Sequence, residues 1–133
     1  MPKDENDPPE RVPISRCECG NEYRLFPDEI EDDAHIFFHG TAATNLESIL
    51  KDGFKIPDTL PSVSFARQSS LPLRYACAAR SQASPKGCVL AVQFDDVHRP
   101  GIKSESFGIH VYSFDEQPRV LGYCFVPEDY KFN

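Results

Sequence analysis

Apolar residues recur along residues 35–126 with the spacing of strands and helices, and polar or proline-containing turns separate the runs. Strands are predicted over residues 35–38, 62–66, 88–94, 109–112 and 120–126. The last two are joined by the polar segment 115–118, so they are expected to form a hairpin.

Two short helices are predicted among the earlier strands. Thr44 and Glu47 have the spacing of a capping box, which marks the start of the first helix, and Gly53 is placed to end it. The second helix is predicted over about residues 69–83, with Pro72 in its first turn. Early helices and mostly late strands, without regular βα alternation, indicate an α+β fold.

The formal net charge of −7 is concentrated at the N-terminus. Residues 1–35 hold four basic and eleven acidic side chains, whereas the rest of the chain holds ten of each. We therefore predict an acidic, proline-containing and partly disordered segment over 1–34, followed by one folded domain over 35–133. The balanced charge of that domain, without a basic stripe, argues against a dedicated nucleic-acid surface.

The N-terminus and the cysteines bear on the compartment. No basic region followed by an apolar run marks a signal peptide, and no apolar stretch is long enough to span a membrane. Cys77, Cys88 and Cys124 lie in apolar segments and are expected to be buried thiols, which fits an intracellular protein, cytoplasmic or nuclear. Delivery by a route without a signal peptide stays open.

Cys17 and Cys19 can supply half of a zinc site, but no well-spaced second pair follows, so no metal is predicted.

The most informative polar residues are His39, Gly40 and Thr41, which end the first strand of the folded domain. Gly40 allows a ligand to approach the backbone closely, and the two flanking side chains can supply hydrogen bonds. Such a corner is suited to a flat ligand that carries an amide. An isolated His-Gly-Thr triplet also fits an ordinary strand-to-helix turn.

The sequence around this corner resembles the ADP-ribosyltransferase superfamily, in the branch of poly(ADP-ribose) polymerase catalytic domains and diphtheria-toxin-like enzymes. The resemblance starts with FFHGT at 37–41 and NLESILKDGF at 45–54. It continues with VSFA at 63–66 and with Tyr75, at the spacing of the family's second aromatic residue. The segment IHVYSFDEQPRVLGYCFV at 109–126 is similar to the family's terminal hairpin.

This resemblance implies a split β-sandwich with two short helices, which holds NAD as a co-substrate in an extended cleft. By position, His39 would bind the adenosine ribose, Gly40 would bind the nicotinamide amide through its backbone, and Thr41 would support the corner. Tyr75 would stack on the nicotinamide ring, and an aromatic face over a cationic ring is a favourable contact. The alternative for Tyr75 is a helix residue that packs on the sheet.

Two positions depart from the pattern of that branch. Ser64 stands where the branch has a tyrosine, and Gly108 stands where it has a glutamate that stabilises the ribosyl cation. Glu105, three residues before Gly108, and Glu116, in the predicted hairpin turn, can each reach into the site from a loop, although both are also expected on an exposed surface. His110 alternates away from its apolar neighbours, so it is either a cleft residue or an exposed strand residue.

Three functions follow from the resemblance. The first is an NAD-dependent mono-ADP-ribosyltransferase or NAD glycohydrolase that uses His39, Tyr75 and Glu105 for catalysis and binds NAD also through Ser64 and His110. Its partner would be a macromolecular acceptor, with protein favoured over nucleic acid. The second is a catalytically degenerate module that binds NAD, ADP-ribose or a protein. The third is an RNA 2′-phosphotransferase-like enzyme, against which the lack of paired basic residues counts.

Overall fold

A computed structural model describes residues 9–12 and 25–130 of the chain. Its helices are α1 (Asp28–Glu31), α2 (Leu46–Asp52) and α3 (Ser70–Ala78), and a 3-10 turn over Ala43–Asn45 leads into α2. Its strands are β1 (Glu10–Arg11), β2 (Ile36–Ala42), β3 (Val63–Ala66), β4 (Gly87–Gln93), β5 (Ile102–Glu105), β6 (Gly108–Val111) and β7 (Arg119–Val126).

Within these described ranges, the seven strands form one mixed sheet in the order β1-β7-β4-β2-β3-β6-β5. The β1–β7 pair is parallel and all other neighbours are antiparallel. One mixed sheet with a few short helices confirms the α+β class. The third strand in this order, β4, lies between β7 and β2, and its residues up to Val92 are all buried.

The sheet is divided at the contact between β2 and β3. β2 pairs with β4 along seven residues, but it pairs with β3 only through Phe38 and Ala66. An unbroken antiparallel ladder would next pair His39 with Phe65 and then Gly40 with Ser64, but neither pair forms, so the two strands separate just beyond their single contact. The separation leaves the chain with two half-sheets, β1-β7-β4-β2 and β3-β6-β5.

Both faces of the sheet are packed. Successive residues of β2 and β4 point to opposite faces, so Phe37 and Phe38 belong to different hydrophobic clusters. The cluster of Phe38 also holds Leu73 of α3 together with Leu25 and Phe26, which lie before His35 in the chain. The packed part of the chain therefore includes residues on the N-terminal side of the boundary expected at 34/35.

Glu31 connects this early segment to α3. Its carboxylate accepts hydrogen bonds from the backbone N–H groups of Leu25 and Phe26 and from the buried hydroxyl of Ser69, which precedes the helix. The start of α3 is thus held by a side chain from α1.

The predicted hairpin between the last two strands is wrong. β6 pairs with β3 and β5, whereas β7 pairs with β4 and β1, so the two strands lie in different half-sheets. The partner of β6 on its outer side is β5, over Ile102–Glu105, which was not predicted because its exposed residues lack an apolar pattern. Local alternation predicts that a strand forms, but it does not specify which strand it pairs with.

The helix boundaries also differ in part from the prediction. No side chain caps the start of α2, and the N–H of Thr44 instead donates to Ser84 Oγ, so the predicted capping box is wrong. Gly53 ends α2 as predicted, with a positive φ of 83° that favours glycine. α3 ends at Ala78, earlier than predicted, and Arg80 donates from Nε to the carbonyl of Cys77 at this end.

Gln117 holds the chain just after α2. Its side-chain amide accepts from the N–H of Phe54 and donates to the carbonyl of the same residue, both at 2.8 Å. Phe54 is buried, so removing the amide would leave two buried backbone groups without partners. We expect Gln117→Ala to lower the free energy of unfolding by about 2 kcal/mol, measured by urea denaturation. Glu116→Ala, at the exposed neighbour, is the control and should change it by less than about 0.5 kcal/mol; equal values for both variants would contradict this role.

Candidate functional site

The separation of β2 from β3 opens a cavity of about 820 Å³. Its walls come from β2, β3, α2, α3 and the loop that follows α2. The volume lies in the upper part of the range of small-molecule and cofactor sites, which is roughly 300–1,000 Å³. The cavity is therefore large enough for an extended ligand rather than for a few water molecules.

His39 lies on the wall formed by β2. Its Nδ1 is 2.9 Å from the carbonyl oxygen of Ser64, and its ring packs against Phe54 and Phe65 at centroid distances of 5.5 and 5.2 Å. Burial lowers the pKa of His39 from its usual value of 6.5, and the hydrogen bond to Ser64 opposes this only in part. Since a carbonyl only accepts, Nδ1 carries the proton and Nε2 of the neutral ring is an acceptor.

Gly40 and Thr41 follow on the same strand. A Cβ at Gly40 would lie 2.1 Å from the carbonyl oxygen of Pro72, so the closeness of α3 is a physical reason for a glycine here. The hydroxyl of Thr41 accepts from Nδ2 of Asn45 at 2.9 Å and keeps its own proton to donate. Both residues line the cavity.

The backbone edges of β2 and β3 face each other across the separation. Beyond the Phe38–Ala66 pair, no register links Gly40 to Ser64, although both border the cavity. Strand edges without a ladder partner present N–H and C=O groups in one line. Such an edge can bind a planar carboxamide, which offers one donor side and one acceptor side.

Tyr75 comes to the cavity from α3. It shares a helical face with Leu71, Ala78 and Ala79, all of which line the cavity, whereas Leu73 belongs to the core. The Tyr75 side chain is 62% exposed, so it is not packed on the sheet. His39 and Tyr75 thus border one space.

Ser64 and His110 form a pair on neighbouring strands. They are direct cross-strand partners in the β3–β6 ladder, and Ser64 Oγ lies 2.8 Å from His110 Nδ1. Both residues line the cavity, and the ring of Phe107, at 5.3 Å from that of His110, stands beside them at the rim.

Glu105 does not line the cavity. It lies on the outer strand β5, opposite Gly108, and its carboxylate is 3.6 Å from the ammonium group of Lys103. A Cβ at Gly108 would lie 2.0 Å from the carbonyl oxygen of Phe65, so a larger side chain has no room at that position. Glu116, in the segment before β7, is exposed and also lies outside the lining.

The lining of the cavity carries little formal charge. Among the described residues that line it, there is no Asp or Glu, and Lys55 is the single Lys or Arg. Lys55 and Asn45 were not anticipated from the sequence, although Asn45 follows Thr41 by four residues and Lys55 directly follows the Gly-Phe pair that ends α2. Phe107 was also missed, because its turn carries no apolar pattern.

The described residues, 9–12 and 25–130, also bear on metal sites, cysteine thiols and membrane-spanning helices. No three His, Cys, Asp or Glu side chains there come together to hold a metal ion. Cys17 and Cys19 lie outside the described residues. Burial raises the pKa of Cys88 to about 12 and that of Cys124 to about 11, so both thiols are protonated at neutral pH. No helix of the described part is long and apolar enough to cross a bilayer.

Comparisons with known proteins do not assign this chain to a family. The chain matches no protein-family model, and a search of curated proteins finds no match.

Proposed function

We propose that the protein is an NAD-dependent mono-ADP-ribosyltransferase or NAD glycohydrolase, with the split β-sandwich of that superfamily. The observation that carries the proposal is that the His39–Gly40–Thr41 corner and the ring of Tyr75 line one cavity between two diverging strands. A polar corner and an aromatic ring that line the same cavity suit a ligand with a flat cationic amide at one end.

Each wall of the cavity has a role in binding. The open edge at Gly40 binds the nicotinamide carboxamide through backbone groups, and the exposed ring of Tyr75 stacks on the pyridinium ring. The acceptor Nε2 of His39 takes a hydrogen bond from a ribose hydroxyl. Lys55 is available to a phosphate oxygen. Bound NAD supplies an electrophilic anomeric carbon, from which nicotinamide leaves as a neutral group.

The acceptor of ADP-ribose is proposed to be water or a macromolecule, with protein favoured. The single cation in the described lining gives no array of positive charge that would hold a nucleic-acid backbone.

A second function is supported by a specific observation. The described lining of the cavity has no carboxylate, and a carboxylate is the group that best stabilises positive charge on the ribosyl ring. A module that binds NAD or ADP-ribose without turnover is therefore the alternative to the enzyme.

One experiment separates the two functions. The protein is incubated with NAD, nicotinamide release is followed by chromatography, and NAD and ADP-ribose binding is measured by calorimetry. Nicotinamide release supports the enzyme, and binding without release supports the non-catalytic module. If neither nucleotide binds, both proposals are wrong.

Tyr75 provides a sharper test of the binding mode. We expect Tyr75→Ala to weaken NAD binding about tenfold, which corresponds to about 1.4 kcal/mol, because a cation–aromatic contact is lost. Tyr75→Phe keeps the aromatic face and should bind within about twofold of the parent protein. Leu50→Ala removes an exposed apolar side chain outside this cavity and is the control. Calorimetry that shows equal affinities for all three variants would rule out stacking on Tyr75.

A further inference from the structure

Ser64 makes two hydrogen bonds that orient two imidazole rings in one cavity. Its backbone carbonyl accepts from Nδ1 of His39, and its hydroxyl is paired with Nδ1 of His110. In both rings the Nδ1 atom is thus engaged by the same residue, so Nε2 is the nitrogen left for a ligand. The three residues form a continuous hydrogen-bonded chain from β2 through β3 to β6.

Among the described residues that line the cavity, few side chains other than His110 can accept a proton. The lining has no Asp or Glu, and Gly108 leaves no space for one. Glu105 lies one strand further out and is held by Lys103. His39 accepts a hydrogen bond well, but burial lowers its pKa and so disfavours the charged ring that a base must become.

The surroundings of His110 are open to solvent on one side. Lys103 is its cross-strand partner on β5, opposite the side where Ser64 lies. The rings of Phe107 and Tyr112 are 5.3 and 6.4 Å from its own ring, and both of these side chains are exposed. The ring of His110 is therefore accessible from solvent to an acceptor molecule.

We propose that His110, positioned by Ser64, is the general base that takes the proton of a hydroxyl acceptor during transfer of ADP-ribose. This inference rests on the proposed function. The acceptor class is a hydroxyl group, that of water, an alcohol or a hydroxyl-bearing side chain, because such a group needs a base to become a good nucleophile.

The step balances without a further reactant. The acceptor O–H proton passes to His110 Nε2, and the acceptor oxygen bonds to the anomeric carbon. The bond from that carbon to the nicotinamide nitrogen breaks, and its electron pair stays on nicotinamide, which leaves neutral. The step uses the tautomer of His110 in which Nδ1–H donates to Ser64 Oγ, because a serine hydroxyl can accept or donate and only this tautomer leaves Nε2 as the accepting atom. The charged imidazole then releases its proton to solvent.

A carboxylate acceptor behaves differently. It already carries a negative charge, so its attack on the anomeric carbon needs no proton transfer. Loss of His110 should therefore slow transfer to hydroxyl groups and leave transfer to carboxylates unaffected. This difference in acceptor dependence separates a base from a residue that only maintains the cavity.

The test uses the full chain with NAD, with methanol as a hydroxyl probe and acetate as a carboxylate probe. His110→Gln is expected to lower the rate of formation of methyl-ADP-ribose and of free ADP-ribose by about 100-fold or more. NAD affinity, the acetate-dependent release of nicotinamide and the thermal midpoint should stay close to those of the parent protein. His98→Gln, the same change at an exposed histidine outside the cavity, is the matched control and should leave every rate unchanged.

Two further variants test the positioning role and the chemistry. Ser64→Ala should lower kcat for methanol about tenfold with little change in KM for NAD, and Ser64→Thr, which keeps the hydroxyl, should restore most of it. In His110→Gly, free imidazole added to the buffer should recover part of the methanol reaction, which a purely structural residue would not show.

The outcomes separate this inference from the function on which it rests. A parent protein that binds NAD but releases no nicotinamide overturns both. An active parent protein whose His110→Gln variant keeps its methanol rate within twofold overturns the base alone. Equal losses with methanol and acetate would also overturn it, because they would assign His110 to NAD binding instead.

Discussion

Gly108→Glu is expected to destabilise the protein by about 3 kcal/mol or more, instead of supplying the carboxylate that the cavity lacks. A Cβ at this position would lie 2.0 Å from the carbonyl oxygen of Phe65 and 2.8 Å from the Cα of Ala66. Both atoms belong to the backbone of β3, which cannot move without disturbing the pairing of β3 with β6. Urea denaturation of the variant measures the loss.

Two companion variants separate the steric effect from the charge. Gly108→Ala introduces the same Cβ without a carboxylate and should show most of the destabilisation. Ser106→Glu places a carboxylate on the neighbouring exposed turn and should leave stability within about 0.5 kcal/mol of the parent protein. If Gly108→Ala were as stable as the parent protein, the close approach of β3 to β6 would not be the reason for glycine.

His39→Ala is expected to lower kcat/KM for nicotinamide release by about 30- to 100-fold. The variant loses the acceptor Nε2, which leaves a ligand hydroxyl without a partner, a loss of about 2 to 3 kcal/mol. It also removes the ring that packs on Phe54 and Phe65, so part of the loss would come from a wider cavity. Steady-state kinetics with NAD provides the measurement.

The controls for this variant lie outside the cavity. His35→Ala removes an exposed histidine that precedes β2, and Glu105→Ala removes the carboxylate on β5; both should keep kcat/KM within twofold. Loss of activity in Glu105→Ala would bring that residue back as a catalytic candidate. Unchanged activity in His39→Ala would remove the corner from the site.

The same histidine predicts the direction of the pH dependence. Its pKa in the folded protein is below the usual 6.5, because burial disfavours the charged ring. The unfolded chain therefore binds the proton more readily, so the contribution of His39 to stability is complete above about pH 6.5 and is lost as the pH falls towards the lowered value. NAD binding should weaken only at lower pH still, around and below the lowered pKa of the folded protein, because Nε2 becomes protonated and stops accepting only there.

The sequence predicted the local structure better than the pairing of the strands. A first strand that contains Phe37 and Phe38 was predicted, and so was the end of a helix at Gly53, because such features depend on neighbouring residues alone. The partner of β6 was predicted wrongly, since alternation in 109–112 is equally compatible with either half-sheet. Leu25 and Phe26 lie in the acidic segment that was predicted to be partly disordered, and the structure shows that both are buried.

For the candidate site, the sequence identified the corner and the aromatic ring but not the contacts between them. The structure places His39, Ser64, Tyr75 and His110 around one cavity, together with the rest of the corner, and leaves Glu105 outside it. The hydrogen bonds of Ser64 to two histidines join three strands, and no spacing along the chain encodes them. Gly40 had been interpreted through ligand access alone, although its contact with α3 is a sufficient reason for glycine.

The separation of β2 from β3 has a consequence for how such a protein can diverge. The edges of β2 and β3 that border the cavity consist of peptide groups, which every amino acid shares. Binding of the proposed ligand at these edges therefore tolerates wide variation in the side chains. The aromatic and proton-accepting side chains around the cavity can then be substituted one at a time, while the backbone groups at the strand edges stay the same. Proteins that bind the nucleotide proposed for this cavity can therefore retain the same interrupted ladder between two strands while their sequences diverge.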